Sequence, residues 1–368
     1  MSGSKMLLAS AAVAALCVAG LGGYALTDQA RAANAGPQTN GRVDNFRLPS
    51  ADLQSYELYR MADAPAVVIL TQANGCKASE AAAATLQGLK VKYHDKGVEF
   101  LMLNSNLKDG LEATQGEAAK ISGGIPILRD TEQLVGENLG VTTAGEAIVI
   151  NPKTWQVIWR GSMDAKTGSE ILDTVLSGSP VKAAAKAAKG CTIDFPARAH
   201  AADYAKISYV KDIAPIVEGK CIECHQQGSI GPMELTSYEK VKAFSPMIRE
   251  VVRTDRMPPF QTERAIGHFD GDKRLTDSQV KTLVHWIEAG SPRGEGADPL
   301  AQARHVAPEW PLGKPDLVLD IPAYTIPATG VVDYQHPWTA NPLTEGRWIR
   351  ASTIKPGARQ AVHHILTG

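Results

Sequence analysis

Short apolar runs alternate with a helical pattern along the first half of the chain. Four of these runs are typical of buried strands: Ala66–Leu70, Val98–Leu103, Ala147–Ile150 and Gln156–Trp159. The alanine-rich segment Ala78–Tyr93 has helical spacing, and the turn signal Asn151-Pro152 separates the last two runs as in a hairpin. This order predicts an α/β layer fold over residues 41–180.

The middle of the chain has helical periodicity instead. A helix whose apolar positions continue to Val217 is predicted to run directly into Cys221. Another helix is predicted to begin at Thr276, because Gln279 stands three residues further on, as a capping box requires. Residues 204–295 are therefore expected to form an all-α domain.

From about Trp310 the helical periodicity disappears and prolines become frequent. Short apolar runs alternate there with turn residues: Leu317–Leu319, Thr325–Ile326 and Trp348–Ile349. This pattern predicts part of an antiparallel β-sandwich over residues 310–368.

Composition and charge narrow the class of protein. The chain of 368 residues is long enough for two or three domains, and 44% apolar with 21% charged residues is typical of globular protein. A net charge of −1 gives no reason to expect nucleic acid or an anionic membrane as a partner. The five cysteines are too few for a disulfide scaffold.

The N-terminus indicates the compartment. Lys5 precedes an apolar stretch from Met6 to Leu26, and Ala33-Asn34-Ala35 is a small-x-small cleavage site. Residues 1–35 are therefore predicted to be a signal peptide, and the rest of the chain to be periplasmic or otherwise exported. The apolar stretch approaches the length of a membrane span, so an uncleaved N-terminal anchor stays as the alternative.

The most specific motif is Cys221-Ile222-Glu223-Cys224-His225, because C-x-x-C-H is the attachment signature of a c-type haem. The thiols of Cys221 and Cys224 can form thioethers with the two vinyl groups of one porphyrin, and His225 then binds the iron. Haem c is thus the predicted cofactor. A small redox or zinc pair is the alternative for this motif.

The first domain resembles the thioredoxin-like redoxins related to the peroxiredoxins. The resemblance rests on four segments: Val67-Val68-Ile69-Leu70 leading to Cys76, Lys96-Gly97-Val98-Glu99-Phe100, Ile125-Pro126-Ile127-Leu128 and Leu139-Gly140-Val141. The family's thiol lies at a strand-to-helix turn, where the helix N-terminus stabilises the thiolate. Cys76 occupies that place and is the candidate catalytic residue.

Cys76 lacks two parts of the family's usual machinery. The residue three positions on is Ser79 instead of a resolving cysteine, and Thr143–Glu146, where the family's cis-proline is expected, contains no proline. A C-x-x-C exchange mechanism is therefore excluded. Cys76 is left as a peroxidatic or sensing thiol, as a partner of Cys191, or as part of a degenerate docking or spacer domain.

The helical domain resembles small cytochrome c domains of bacterial multidomain proteins. The matching segments are Ile213-Ala214-Pro215, Cys221 to His225, Gly231-Pro232, Tyr238, Arg256-Met257-Pro258-Pro259 and Trp286. Met257 is the predicted sixth iron ligand, because the two prolines after it stiffen the loop that would hold its sulfur. Its rivals are Met233 and Met247, followed by His268 and His285; His285 is expected on a helix surface or at the haem edge.

The C-terminal segment resembles the start of the copper type II, ascorbate-dependent monooxygenases. The resemblance runs through Pro315–Asp320 and Tyr324–Pro327 to Ala361-Val362-His363-His364-Ile365. In that family the paired histidines bind one copper, so the resemblance makes His363 and His364 candidate copper ligands. The family's other copper ligands are absent from this sequence, and we expect a truncated product or a piece of a longer protein.

These features favour a multidomain exported redox protein. The predicted parts are a signal peptide, a thioredoxin-like redoxin domain, a linker, a cytochrome c-like domain and an incomplete copper monooxygenase-like sandwich: residues 1–35, 41–180, 181–203, 204–295 and 310–368. The leading hypothesis is single-electron transfer by the haem domain, serving a redox partner protein or missing copper domains. The alternatives are a thiol peroxidase or redox sensor using Cys76, and a fragment of a copper-dependent monooxygenase.

Overall fold

The computed structural model describes residues 41–199, 201–227, 229–260, 262, 266–302, 310, 312–358, 361–362 and 365–366. The predicted signal peptide and the candidate copper ligands His363 and His364 lie outside these residues. Within them, no helix combines the length and the apolar character that crossing a membrane requires.

Two sheets form among the described residues. Their strands are β1 (Arg47–Pro49), β2 (Ser55–Glu57), β3 (Val67–Gln72), β4 (Glu99–Asn104), β5 (Ile127–Arg129), β6 (Ala147–Asn151) and β7 (Gln156–Gly161). β1 and β2 pair as a hairpin, and the others form a mixed sheet in the order β5-β4-β3-β6-β7. β3, β4 and β5 run parallel, whereas β6 and β7 are antiparallel.

The helices lie around this sheet and in a separate bundle. They are α1 (Lys77–Tyr93), α2 (Leu111–Ile121), α3 (Leu134–Asn138), α4 (Ala165–Leu176), α5 (Pro196–Ala199), α6 (Ala201–Tyr204), α7 (Ala214–Lys220), α8 (Tyr238–Ala243), α9 (Ser245–Arg253), α10 (Asp277–Glu288) and α11 (Pro299–Gln302). A π-helical turn, Tyr209–Ile213, leads into α7. Short 3-10 turns cover Leu58–Met61 and His94–Lys96.

The first unit has an α/β arrangement, a mixed sheet with helices around it. Every residue of the central strand β3 is buried, as expected of a strand covered on both faces. One apolar cluster fills each face of the mixed sheet, and α1 packs Ala83, Leu86 and Leu89 into one of them. The predicted strands and helix therefore form, and the predicted α/β layer is confirmed.

The second unit is a helical bundle with its own core. Thr276 accepts a hydrogen bond from the amide of Gln279, whose side chain accepts one from the amide of Thr276, so the predicted capping box forms. Trp286 of α10 is fully buried, and its indole Nε1–H donates to the Pro292 carbonyl at 2.9 Å. This hydrogen bond fixes the turn where α10 ends.

Part of the segment predicted as a linker packs onto the first unit. Ile193 and Phe195 are buried in one face of the sheet, because their alternation places both side chains on the same side of an extended backbone. Arg198 stacks on Phe195 and donates to the Val141 carbonyl at 2.6 Å. The chain is therefore held to the α/β unit just before it enters the helical bundle.

The structure of the C-terminal segment differs from the predicted β-sandwich. The described residues from 312 onward include no strand, and nearly all of them are exposed. A β-strand exists only by hydrogen bonding to a neighbouring strand and by burying one face, and neither occurs here. The apolar runs around Leu317, Ile326 and Trp348 thus have β-like composition without a sheet.

Charged side chains join the two units. Arg249 of α9 contacts Asp44 at 2.8 Å and Glu288 at 2.6 Å. His285 of α10 stacks on Tyr204 with ring centroids 3.8 Å apart, and lies 3.1 Å from Glu288 and 3.5 Å from Glu137. His285 was predicted at a helix surface or the haem edge, but it is buried at this interface because α10 packs against Glu137 of α3.

The pKa values of the two carboxylates beside His285 are shifted in opposite directions. Burial raises the pKa of Glu137. Burial would raise the pKa of Glu288 as well, but the hydrogen bond from His285 and the charge of Arg249 outweigh it and lower this pKa to about 2. Ionised Glu288 thus stabilises the fold above the unfolded-state pKa near 4.5, and this contribution disappears as the pH falls toward 2.

We expect Glu288→Gln to reduce the loss of unfolding free energy that occurs as the pH falls from 5 to 2. The side chain of Glu288 is 39% exposed, so solvent screening reduces the expected loss between pH 5 and pH 2 to about 1–2 kcal/mol. Urea titrations across this range measure it, with exposed Glu170→Gln of α4 as the control. Parallel profiles for wild type and Glu288→Gln would contradict the prediction.

Candidate functional site

Cys76 lies where the sequence places the reactive thiol. It follows β3 after a short turn and is the N-cap residue of the 17-residue helix α1, with the Glu80 amide donating to its carbonyl at 2.9 Å. The free amides and the dipole at a helix N-terminus favour a thiolate. Only 2% of Cys76 is exposed. The position is chemically suitable for a reactive sulfur but is closed to solvent.

Cys76 forms a disulfide with Cys191, a pairing that the sequence left as one alternative. Their Cα atoms are 6.0 Å apart although 115 positions separate them along the chain. Cys191 is exposed, and its amide donates to the Cys76 Sγ at 3.3 Å. The second cysteine absent from the position of Ser79 is thus supplied by a distant segment.

The segment that carries Cys191 docks through an isolated β-bridge. The Ala144 amide donates to the Cys191 carbonyl at 2.8 Å, and the Ile193 amide donates to the Thr142 carbonyl at 3.0 Å. Thr143 and Thr192 form the antiparallel bridge between these bonds. The proline-free loop at Thr143 therefore presents main-chain groups to the cysteine segment.

Two carboxylates hold the turn before Cys76. Asp109 accepts a hydrogen bond from the Asn74 amide at 2.8 Å, and Glu117 accepts one from the Gly75 amide at 3.0 Å. Sequence analysis missed both residues, because each lies more than thirty positions from the turn and in no recognisable motif. Their role is to position the turn, which orients the Cys76 sulfur.

The Cys221–His225 motif forms a second site at the end of α7. Cys221 and Cys224 are free thiols, and burial raises the pKa of Cys221 to about 12, with Cys224 adding to the effect. His225 is 8% exposed, and its Nδ1 lies 3.0 Å from the Met233 carbonyl oxygen. This contact orients the imidazole and places the proton on Nδ1.

The residues of this motif fit a covalently attached haem. A metal-binding histidine usually donates its second ring N–H to a carbonyl or carboxylate, as Nδ1 of His225 does to Met233. Its Nε2 makes no hydrogen bond to any described residue and is available as a ligand. The two thiols are unpaired, as thioether formation requires. Among the described residues, this motif included, no cluster of three or more His, Cys, Asp or Glu side chains is arranged to hold a metal ion.

The tight loop after His225 supports the ring. Gly231 donates its amide to the Cys224 carbonyl at 2.7 Å, and the Leu235 amide donates to the His225 carbonyl at 2.9 Å. A Cβ atom on Gly231 would lie 2.7 Å from His225 Nδ1. The imidazole therefore packs against bare backbone.

The candidate sixth ligands occupy different places. Met257 follows α9 and is 38% exposed, whereas Met247 projects from α9 and is 48% exposed. The carbonyl of Met233 contacts His225, His268 is exposed, and His285 belongs to the interface with Glu137. Met257 stays a prediction.

Comparisons with known proteins give matches among solved structures. No protein-family model matches the chain, and no curated protein does. A hypothetical protein from Sinorhizobium meliloti is 21% identical, covering 43% of this chain and 95% of its own, with a TM-score of 0.40. Peroxidoxin BcpB from Mycobacterium tuberculosis is 15% identical, covering 39% and 97%, with a TM-score of 0.34. Peroxiredoxin Q from Xanthomonas campestris is 14% identical, covering 39% and 98%, with a TM-score of 0.33.

Proposed function

We propose that this chain is a thiol–disulfide redox protein whose reactive couple is Cys76 and Cys191. The observation that carries the proposal is the disulfide that links a helix N-terminal cysteine to an exposed partner on a docked segment. Helix N-termini stabilise the leaving or attacking thiolate, and an exposed sulfur admits the reductant. Cys76 thus meets the first requirement of exchange, and Cys191 meets the second.

The two sulfurs differ in exposure, and this difference determines which of them an external thiolate attacks first. An incoming thiolate attacks the exposed Sγ of Cys191, the S–S bond breaks, and Cys76 leaves as a thiolate beside the N-terminus of α1. A second external thiolate attacks the mixed disulfide, giving an external disulfide and freeing Cys191, which takes a proton. The protein gains two electrons, and the two external thiols are oxidised.

The reduced couple is suited to reaction with a peroxide. The Cys76 thiolate attacks one peroxide oxygen, an S–O bond forms and the O–O bond breaks; the leaving oxygen takes a proton from solvent, so that a sulfenic acid and an alcohol or water result. The Cys191 thiol then condenses with the sulfenic acid, which releases water and restores the disulfide. Each turnover consumes one peroxide and two external thiols.

Peroxide consumption tests the thiol proposal. With a dithiol reductant, Cys76→Ser is expected to abolish the thiol-dependent consumption shown by wild type. Cys191→Ser is the informative second variant, because it retains the first reaction but stops at the sulfenic acid, which a sulfenic-acid reagent traps. Unchanged thiol-dependent turnover in Cys76→Ser would exclude this function.

A second candidate function is one-electron transfer by a covalently attached c-type haem. The contact between His225 Nδ1 and the Met233 carbonyl favours it, because it leaves the other ring nitrogen available. When bound, the haem would supply one-electron iron chemistry. Cys221 and Cys224 would hold the porphyrin, and Met233 would keep the His225 ring in one orientation.

Haem staining after denaturing electrophoresis tests this second function. We expect the matured chain to stain and to show a c-type absorption spectrum, and the double variant Cys221→Ser, Cys224→Ser to lose both signals. A colourless matured chain whose two thiols alkylate freely would exclude the haem.

Met257 is expected to be the methionine that tunes this site. Met257→Ala should alter the visible spectrum and lower the reduction potential, because a thioether ligand raises the potential. Met247→Ala, from the neighbouring helix, should leave both unchanged. Spectroscopic redox titration of the two variants measures the effect. Equal spectra and potentials would remove Met257 from the site.

The remaining predictions concern location and partners. We infer that the chain works outside the cytoplasm, because residues 1–35 have signal-peptide character and c-type haem suits exported proteins. Service to a copper monooxygenase-like partner, with copper at His363 and His364, stays a prediction based on resemblance. Fractionation of cells that express the full chain tests the exported location.

A further inference from the structure

The segment bonded to Cys76 also contacts its sulfur, since the Cys191 amide donates to the Cys76 Sγ at 3.3 Å. This segment is residues 186–192, and we call it the resolving arm. The Ser162 amide donates to the Lys186 carbonyl at 2.7 Å, and the Ala144 amide donates to the Cys191 carbonyl at 2.8 Å. In these two hydrogen bonds, amides of the rest of the protein donate to carbonyls of the arm. The disulfide attaches the arm covalently.

The resolving arm is held more weakly than the residues that follow it. All of its residues are exposed except half-buried Ala188, whereas Ile193 and Phe195 just beyond it are 3% and 5% exposed. The carbonyl of Asp194 accepts a hydrogen bond from the Gln133 side chain at 2.7 Å. The arm therefore ends at a firm anchor.

Burial of Cys76 conflicts with its proposed chemistry as long as the arm is in place. At 2% exposure, its sulfur can meet a peroxide only after the covering backbone has moved. Reduction breaks the covalent attachment and leaves the hydrogen bonds of an exposed segment. Exposed segments with few buried contacts are those that open locally.

We propose that the resolving arm opens when the Cys76–Cys191 bond is reduced and closes again to reform it. This inference rests on the proposed thiol function and adds the movement that controls access to Cys76. In the open state Cys76 is accessible to a peroxide. After the sulfenic acid forms, the returning arm brings the Cys191 thiol to it, so one movement serves access and resolution.

Gly190 is the positioning residue of the resolving arm. A Cβ atom built on it would lie 1.7 Å from the Ala144 carbonyl oxygen and 2.9 Å from the Ala144 carbonyl carbon. These are backbone atoms of the loop on which the arm docks, so they cannot rotate away like a side chain. Any larger residue at this position must lift the arm beside Cys191.

Residue-resolved hydrogen exchange on the full wild-type chain tests the opening. The amides of Ala144 and Ser162 donate to the arm, whereas the neighbouring Gly145 amide donates to Thr71 within the body of the protein. Reduction is expected to speed exchange at Ala144 and Ser162 by about tenfold or more and to leave Gly145 unchanged. Retained protection at Ala144 and Ser162 after reduction would overturn the proposal.

Redox titration of Gly190→Ala provides the second test. Lifting the arm should make the disulfide easier to reduce, and we expect the midpoint in a dithiothreitol buffer to shift by about tenfold in the ratio of reduced to oxidised reagent. Gly116→Ala is the control, because a Cβ there meets no atom within 4 Å. A midpoint equal to that of wild type would contradict the role of Gly190. The exchange experiment needs no variant and decides the opening even if Gly190→Ala fails to fold.

The outcomes separate this inference from the function on which it rests. If peroxide turnover is lost in Cys76→Ser but Ala144 and Ser162 stay protected in the reduced chain, the thiol function stands and the moving arm fails. If Cys76→Ser keeps its thiol-dependent turnover, the function itself fails.

Discussion

Gly231→Val is expected to prevent normal haem attachment at the Cys221–His225 motif. A Cβ at this position would lie 2.5 Å from the Cys224 carbonyl oxygen and 2.7 Å from His225 Nδ1. The side chain would therefore push the proximal ring away from the Met233 carbonyl. Overpacking of this kind costs about 1–3 kcal/mol, and here the disturbed group is the proposed iron ligand.

The measurement is haem per chain in matured protein, by absorption after denaturation and by peptide mass spectrometry. Gly219→Val is the matched control, because Gly219 belongs to the helix that leads into the motif and a Cβ there meets no atom within 4 Å. We expect haem content to fall by about tenfold in Gly231→Val and to stay near wild type in Gly219→Val. Equal haem content in the two variants would show that the close approach at Gly231 does not govern the site.

Local pattern was sufficient to predict the elements that position both sites. The first four residues of β3, Val67–Leu70, are apolar because both faces of the strand are covered, and this feature is visible in a short window of sequence. The capping box at Thr276 and Gln279 is equally local, since its hydrogen bonds join residues three positions apart. Features of this kind need no knowledge of the rest of the fold.

The partners of the reactive groups were not predictable in the same way. Cys191 is 115 positions from Cys76, and only the path of the chain around the sheet brings them together. The acceptor beside His225 is the backbone carbonyl of Met233, which any residue type supplies. Neither contact leaves a spacing or a composition that sequence analysis can detect.

His285 also shows that sequence patterns do not predict the partner of a side chain. Its helix was predicted correctly, but the helical pattern describes a face and not the surface that it meets. Glu137, its partner across the interface, belongs to the other structural unit and lies 3.5 Å away. A side chain expected at a surface or haem edge is instead part of the contact between two units.

The C-terminal segment illustrates why composition alone does not make a sheet. Its apolar runs match the strand pattern, yet the described residues from 312 onward form no strand and are nearly all exposed. Strand formation depends on partners that the pattern does not specify. The buried strand β3 succeeds because β4 and β6 hydrogen-bond to its two edges.

Cys191→Ser is expected to lower the free energy of unfolding of the oxidised chain substantially. The Cys76–Cys191 bond closes a loop with a sequence separation of 115 residues, and constraining a loop of this size in the unfolded state stabilises a fold by about 3–5 kcal/mol. Urea titration without reductant measures the loss. With a dithiol present, wild type and Cys191→Ser should unfold at nearly the same urea concentration, because both then lack the bond.

A double-mutant comparison shows whether this loss comes from the bond itself. Cys76→Ala, Cys191→Ser and the double variant should lose similar amounts of stability, because each removes the same covalent link and the second change has no bond left to break. Cys76→Ala should lose slightly more, since Cys76 is buried and exposed Cys191 is not. Additive losses would mean that the two side chains stabilise the protein independently. The thiol proposal would then lack its disulfide.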